Sequence, residues 1–184
     1  MRAVVQRVSR ARVLVEPGGE ADLPAPRGGH GEGGQPAAGT GRTPGSRVSG
    51  EIGAGFCVLL SVGPGDTEAT ADHLAERVAR LRVCADPAGR MNLDLEQSGG
   101  AVLVVSQFTL HADTSHGHRP SFLGAAAPDA ARGLCASFVR ALERRGLRVA
   151  TGEFGALMQV ELVNDGPVTL VLTSGEGPWP ADAG

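Results

Sequence analysis

Ala101-Val-Leu-Val-Val-Ser-Gln-Phe-Thr-Leu110 decides how the rest of the chain is read. Its first five residues are an unbroken apolar run, which fits a buried strand. Ser106, Gln107 and Thr109 break that run where the strand should end. A strand of Val and Leu is a stiff platform, so polar groups at its tip are held in place to face a ligand. The stretch therefore predicts a site at a strand end.

Working outward, the 184 residues suffice for one domain with a proper core, and 41% of them are hydrophobic. No apolar run reaches the ~18–20 residues of a membrane span. Met1-Arg-Ala-Val-Val-Gln-Arg7 alternates in polarity and lacks the apolar stretch of a signal peptide. A soluble, cytoplasmic protein without membrane contact is the expectation. The sequence contains no Tyr, and all 17 of its Lys and Arg residues are Arg. Schiff-base chemistry and a tyrosine acid are therefore excluded. A net charge of −3 neither announces nor forbids nucleic-acid binding, which depends on a local patch. Cys57, Cys84 and Cys135 are odd in number, widely spaced and set in apolar surroundings. They read as buried reduced thiols, with a catalytic thiol as the alternative.

The N-terminal end, Ala3-Val4-Val5 and Val13-Leu14-Val15, reads as two short strands or one bent one, with Arg2, Arg7, Arg10 and Arg12 alongside. Residues 17–47 are dominated by Gly, Pro and Ala. Such a segment cannot bury enough surface to offset its ordering entropy, so it reads as a disordered insertion in a hairpin loop. Phe56–Val62 reads as a strand. A helix is expected from Thr67 to Arg82 with Asp66 as its N-cap, and a second from Asp129 to Arg145 ending at Gly146. Met91–Leu95 reads as irregular. Strands are expected at Arg148–Thr151, Leu157–Val163 and Val168–Thr173. The sum is an α+β fold with two main helices and a curved, mainly antiparallel, barrel-like sheet. It forms one domain over residues 1–174, followed by a flexible tail at 175–184.

Three constellations compete for the chemistry. His111, Asp113, His116 and His118 crowd one loop, but their spacing matches no helix-borne metal motif, and a solvated loop is the plainer reading. Ser106, His111 and Asp113 supply the residue types of a hydrolytic triad, without a Gly-x-Ser-x-Gly elbow. Asp165-Gly166-Pro167 reads either as a tight turn between strands or as a rigid peptide whose carbonyls face a ligand.

Several blocks together resemble the D-aminoacyl-tRNA deacylase family, in its bacterial and eukaryotic type. They are residues 1–8, Leu81-Arg-Val83, Gly89-Arg-Met-Asn92, Ser106-Gln-Phe-Thr-Leu110, Ala112-Asp-Thr114 and Arg119-Pro-Ser-Phe122. Thr151-Gly152, Met158-Gln-Val160 and Leu162-Val-Asn-Asp-Gly-Pro-Val-Thr169 complete the set. They run in family order through nearly the whole chain. The pairing of Ser-Gln-Phe-Thr-Leu with Asn-Asp-Gly-Pro-Val-Thr is the specific part.

The resemblance implies hydrolysis of the ester linking a D-amino acid to tRNA, a proofreading step in translation, with glycine on tRNA(Ala) also accepted. It implies a homodimer that acts on aminoacyl-tRNA without a cofactor or metal. A cis Gly166-Pro167 peptide would enter the partner's pocket and exclude L side chains by clash, with Arg7 bracing it. Phe108 and Thr109 would donate backbone N–H groups to the developing oxyanion, and Ser106 and Gln107 would shape the pocket. Thr109 is either a nucleophile or a positioning group beside an attacking water. The long 17–47 segment, His111 and the Lys-free loop Ser115–His118 depart from the family pattern.

Overall fold

The computed structural model describes residues 1–20 and 44–174. Its organising element is a single long strand, β1 (Arg2–Glu20). Ala3, Val5, Val8, Ala11, Val13 and Val15 are buried along it, so one bent strand serves two core regions. One edge of β1 pairs antiparallel with β8 (Ala156–Thr173) from Ala3↔Leu172 to Val15↔Met158. Its other edge is shared. The first half pairs with β3 (Gly55–Ser61), and the second with β2 (Arg47–Ile52).

β3 then pairs parallel with β6 (Ala101–Ser106), and β6 parallel with β7 (Arg148–Thr151). The result is a mixed, nearly closed sheet ordered β2-β1-β3-β6-β7, with β8 on β1. Parallel neighbours require long crossovers, which is where the helices enter. The first crossover carries α1 (Glu68–Ala79), the β4–β5 hairpin (Cys84–Ala85, Met91–Leu93) and a short α2 (Leu95–Ser98). The second carries a 3-10 turn (Phe108–His111) and α3 (Pro128–Arg144).

The apolar run of β6 is explained by burial on both faces. Val102 and Val104 join Phe56, Val58 and Leu60 of β3 against Leu74, Val78, Phe138 and Leu142 of the helices. Ala101, Leu103 and Val105 face the other way, toward Val8, Val13, Ile52 and Cys57 within the curl of the sheet. Each fully buried Val or Leu contributes about 1.5–3 kcal/mol by leaving water. The site's platform is thus a strand locked between two cores.

Four local expectations need correction. The N-cap of α1 is Thr67, whose side chain forms a reciprocal capping box with Thr70. Asp66 is unavailable because its carboxylate accepts from the Met1 ammonium and from the Gly63 N–H. The helix also stops at Ala79, and Leu81 and Val83 pack against the helix-side core. Met91–Leu95 is ordered: β5 pairs with β4, and Asp94 and Gln97 cap α2 so that Leu95 is buried. Finally, the two C-terminal strands expected on either side of Asp165-Gly-Pro167 are one strand, β8.

The middle of the segment expected to be disordered, residues 21–43, lies outside the described residues, as does the tail, 175–184. Residues 17–20 at its start belong to β1. No helix among the described residues is long and apolar enough to cross a membrane.

Candidate active site

The sheet delivers Ser106 to the end of β6, opposite Leu60 of β3. The ladder makes one further bond, Gln107 N–H to the Leu60 carbonyl at 2.7 Å, and the chain then tightens into the 3-10 turn. The turn's internal hydrogen bonding begins with the Leu110 N–H, which donates to the Gln107 carbonyl at 3.2 Å. The N–H groups of Phe108 and Thr109 precede that bond and have no acceptor within the turn, as the geometry of any helix start requires. Phe108 is held by an edge-on contact with Phe122, with ring centroids 5.1 Å apart. Thr109 is exposed.

The side chains decide what these groups can do. The Gln107 amide donates to the Thr109 hydroxyl at 2.5 Å. A carboxamide is no base, so nothing in this contact activates Thr109 as a nucleophile. His111 does not complete a triad with Ser106. Its Nδ1 lies 2.6 Å from the hydroxyl of Ser61. Burial lowers its pKa from 6.5 to about 4, helped by Arg2 and the N-terminal ammonium and opposed by Asp66. Asp113 bonds Ser115 within its own loop, and the Ser115 hydroxyl and N–H hold its carboxyl below the usual range. Among the described residues no three His, Cys, Asp or Glu side chains gather as metal ligands. Burial pushes the Cys57 and Cys135 thiols up to about 11, which disfavours the thiolate a nucleophile needs.

The second predicted region is a bulge. Gln6 of β1 pairs with Thr169 and Val8 with Asn164, so Arg7 alone stands opposite the four residues Asp165–Val168. Asn164 closes the base of the bulge: its amide donates to the Val168 carbonyl at 3.3 Å, and its Oδ1 accepts the Val168 N–H at 3.0 Å. Arg7 lies beneath. Its Nε donates to the Asp165 carbonyl at 3.2 Å and meets the Asp165 carboxylate at 3.1 Å. Its Nη1 donates to the Val83 carbonyl at 2.5 Å, tying the bulge to the segment after α1. The Gly166-Pro167 peptide is cis, and Asp165, Gly166 and Pro167 are exposed. Gly166 has φ +124°, and an added Cβ would lie 2.8 Å from Val168 Cγ2 and 2.9 Å from Arg7 Nη2. Glycine is required there both for conformation and for space.

The structure brings Ser106, Gln107, Phe108 and Thr109 together, and separately Arg7, Gly166 and Pro167. It does not join the two groups within one chain. Arg7 pairs with Phe56 and Ser106 with Leu60, so they stand four residues apart along β3. β8 and β6 are three strand steps apart through β1 and β3. At ~3.3 Å per residue and ~4.8 Å per step, the separation is about 20 Å along the sheet. Sequence reasoning missed Ser61, which sits at the end of an apolar strand and carries no motif of its own.

A family model described as D-Tyr-tRNA(Tyr) deacylase matches residues 4–173. A D-aminoacyl-tRNA deacylase of Roseiflexus castenholzii is 48% identical over 174 residues, spanning 95% of this chain and 92% of the relative. One of Thermus aquaticus is 47% identical over 178 residues, 97% of this chain and 98% of its own. Among solved structures, a c-Myc DNA unwinding element binding protein aligns with a TM-score of 0.74 at 34% identity, covering 95% of this chain and 99% of that one. A second, described as a probable eukaryotic D-amino acid tRNA deacylase, shares the fold with a TM-score of 0.66 at 16% identity, covering 93% and 97%. With the family match running almost end to end and close to half of all aligned residues shared, the chain belongs to the D-aminoacyl-tRNA deacylase family.

Proposed function

We propose that this chain hydrolyses the ester bond of D-aminoacyl-tRNA, releasing the free D-amino acid and tRNA, through an oxyanion site at the end of β6. The observation that carries the reading is the pair of N–H groups, Phe108 and Thr109, ahead of the turn's first internal bond. As water adds to the ester carbonyl, negative charge develops on its oxygen. Two fixed backbone donors stabilise that charge, and loss of one such donor typically costs about 3–4 kcal/mol of barrier lowering. The attacking group is a water assisted by the tRNA's own 2′-hydroxyl. Thr109 already accepts from Gln107, and His111 is bound to Ser61, so neither is arranged as a nucleophile and base pair. Collapse of the tetrahedral species breaks the ester C–O bond and returns the ribose hydroxyl. The reaction written this way needs no cofactor.

Selectivity comes from a second copy. The Gly166 and Pro167 carbonyls of the partner fill the space an L side chain would need, leaving room for a D side chain or for the hydrogen of glycine. Rejection by clash with main chain tolerates many amino acids of one hand. The ~20 Å of sheet between the two regions within one chain supports a site completed across subunits. So does β8, which pairs only with β1 among the described residues and exposes Leu157 (48%), Val163 (39%) and Val171 (51%).

The decisive experiment is deacylation of matched D- and L-aminoacyl-tRNA by the purified full chain. Cleavage of the D form alone is expected. Equal cleavage of both would remove the chiral filter, and cleavage of neither would remove the enzyme.

A further inference from the structure

Ser61 is the last residue of β3 and is 2% exposed, a hydroxyl at the end of an otherwise apolar strand. Its Oγ reaches two groups of the 3-10 turn: His111 Nδ1 at 2.6 Å and the Phe108 carbonyl at 3.5 Å. The second contact is at the long end of hydrogen bonding, a range that active sites tighten when substrate is bound. It matters because of what shares its peptide plane. A trans peptide is planar, with its C=O and N–H pointing in opposite directions. Whatever grips the Phe108 oxygen therefore sets the direction of the Thr109 N–H.

The neighbouring peptide is set in the same way by other means. The Gln107 carbonyl accepts from Leu110 N–H, which turns the Phe108 N–H outward. Bonds internal to the turn fix its shape but not its tilt on the sheet. The tilt is set by contacts from outside, namely Ser61 from β3 and Arg2, whose Nη1 donates to the Leu110 carbonyl at 2.7 Å. We infer that Ser61, seated by His111, is a positioning residue that holds the Phe108–Thr109 peptide with the Thr109 N–H facing the substrate carbonyl.

Proton counting assigns the roles. A serine hydroxyl has one proton. If it goes to the Phe108 oxygen, Ser61 must accept from His111, so His111 carries its proton on Nδ1. Nε2 then faces Gly63, where an added Cβ would lie 2.9 Å away. The charged groups facing the ring are Arg2, the N-terminal ammonium and Asp66, and together with burial they leave it neutral at pH 7. Protonation of Nε2 would leave the Nδ1–H in place. The brace is therefore insensitive to pH, unlike a histidine acting as a base.

The inference rests on the oxyanion reading above, and its test separates the two. Steady-state deacylation of a D-aminoacyl-tRNA is measured for wild type, Ser61→Ala, His111→Phe, the double variant and His111→Asn. Ser61→Ala should lower kcat roughly fivefold, the size expected for one neutral hydrogen bond, with KM unchanged and the melting temperature lowered by about 2–4 °C. His111→Phe should do the same, and the double variant should be no worse than Ser61→Ala, because both remove one linkage. His111→Asn, whose amide can donate to Ser61, should recover most of the rate. The ratio of wild-type to Ser61→Ala rates should stay constant from about pH 5 to 8. An active wild type with Ser61→Ala within twofold of it would overturn the brace, as would a rise in KM with kcat unchanged. An inactive wild type would instead overturn the oxyanion reading, and the brace with it.

Discussion

The end of β6 and the bulge on β8 are both interruptions of a strand, but they are built in opposite ways. The 3-10 turn follows a strand buried on both faces and is held from neighbouring strands by Ser61 and Arg2. The bulge interrupts an edge strand, exposes Asp165, Gly166 and Pro167, and is held from one side by Arg7 and from within by Asn164. A site that must point donors at a developing charge needs a fixed platform. A peptide that must reach into another molecule needs to stand clear of its own. On the proposed reading, that difference in burial suits the turn to rate and the bulge to selectivity.

The sharpest way to break this comparison is to remove one donor. Phe108→Pro deletes the N–H at the first position of the turn, where proline is tolerated. It should cut kcat by about 10²–10³-fold, whereas Phe108→Leu, which keeps the N–H, should cost far less. Thr109→Ala also keeps its N–H and should fall less than about tenfold; a larger loss, together with an acyl-enzyme trapped on Thr109 of the wild type, would restore Thr109 as nucleophile. For the bulge, Arg7→Ala removes charge-assisted bonds to the Asp165 and Val83 carbonyls. The ratio of D to L cleavage should fall about tenfold while D cleavage is nearly retained. Uniform loss for both hands would move Arg7 out of selectivity. Leu157→Lys with Val171→Glu should weaken self-association in sedimentation and lower activity in proportion. A fully active monomer would contradict the cross-subunit site.

The smallest effect concerns stability. His111 has a folded pKa of about 4 against an ordinary value of 6.5. Between those values the unfolded chain binds a proton that the folded chain refuses, so stability falls as pH drops from about 6.5 toward 4. Discounted for the partial exposure of the ring, the effect is about 1–2 kcal/mol. Urea unfolding at pH 7 and pH 4.5 should show His111→Phe losing less stability on acidification than wild type.

Much of this was legible in the residues. The apolar run 101–105 gave the platform, and the polar residues after it marked its end. The contact between Arg7 and the Asp165–Val168 bulge could be expected because Arg7 sits in a matched block. The bulge was not legible as such. Asp-Gly-Pro carries the composition of a tight turn, and only pairing of both flanks with one 19-residue strand shows otherwise. Asp66 had the right residue type and position for a cap, but a distant ammonium took its carboxylate. Ser61 gave no signal, because a short hydroxyl within an apolar run becomes meaningful only when parallel pairing brings the turn beside it.

One consequence of the bulge lies outside catalysis. β8 is an 18-residue strand with one edge unpaired among the described residues, the kind of edge that recruits further strands and grows into aggregates. Asp165–Val168 breaks that edge near its middle, so no incoming strand can run its full length. The same four residues are therefore expected to oppose strand addition along this edge. A variant with the bulge shortened to one residue would present an uninterrupted edge, and static light scattering on storage should rise relative to wild type; unchanged scattering would show that the edge is guarded elsewhere.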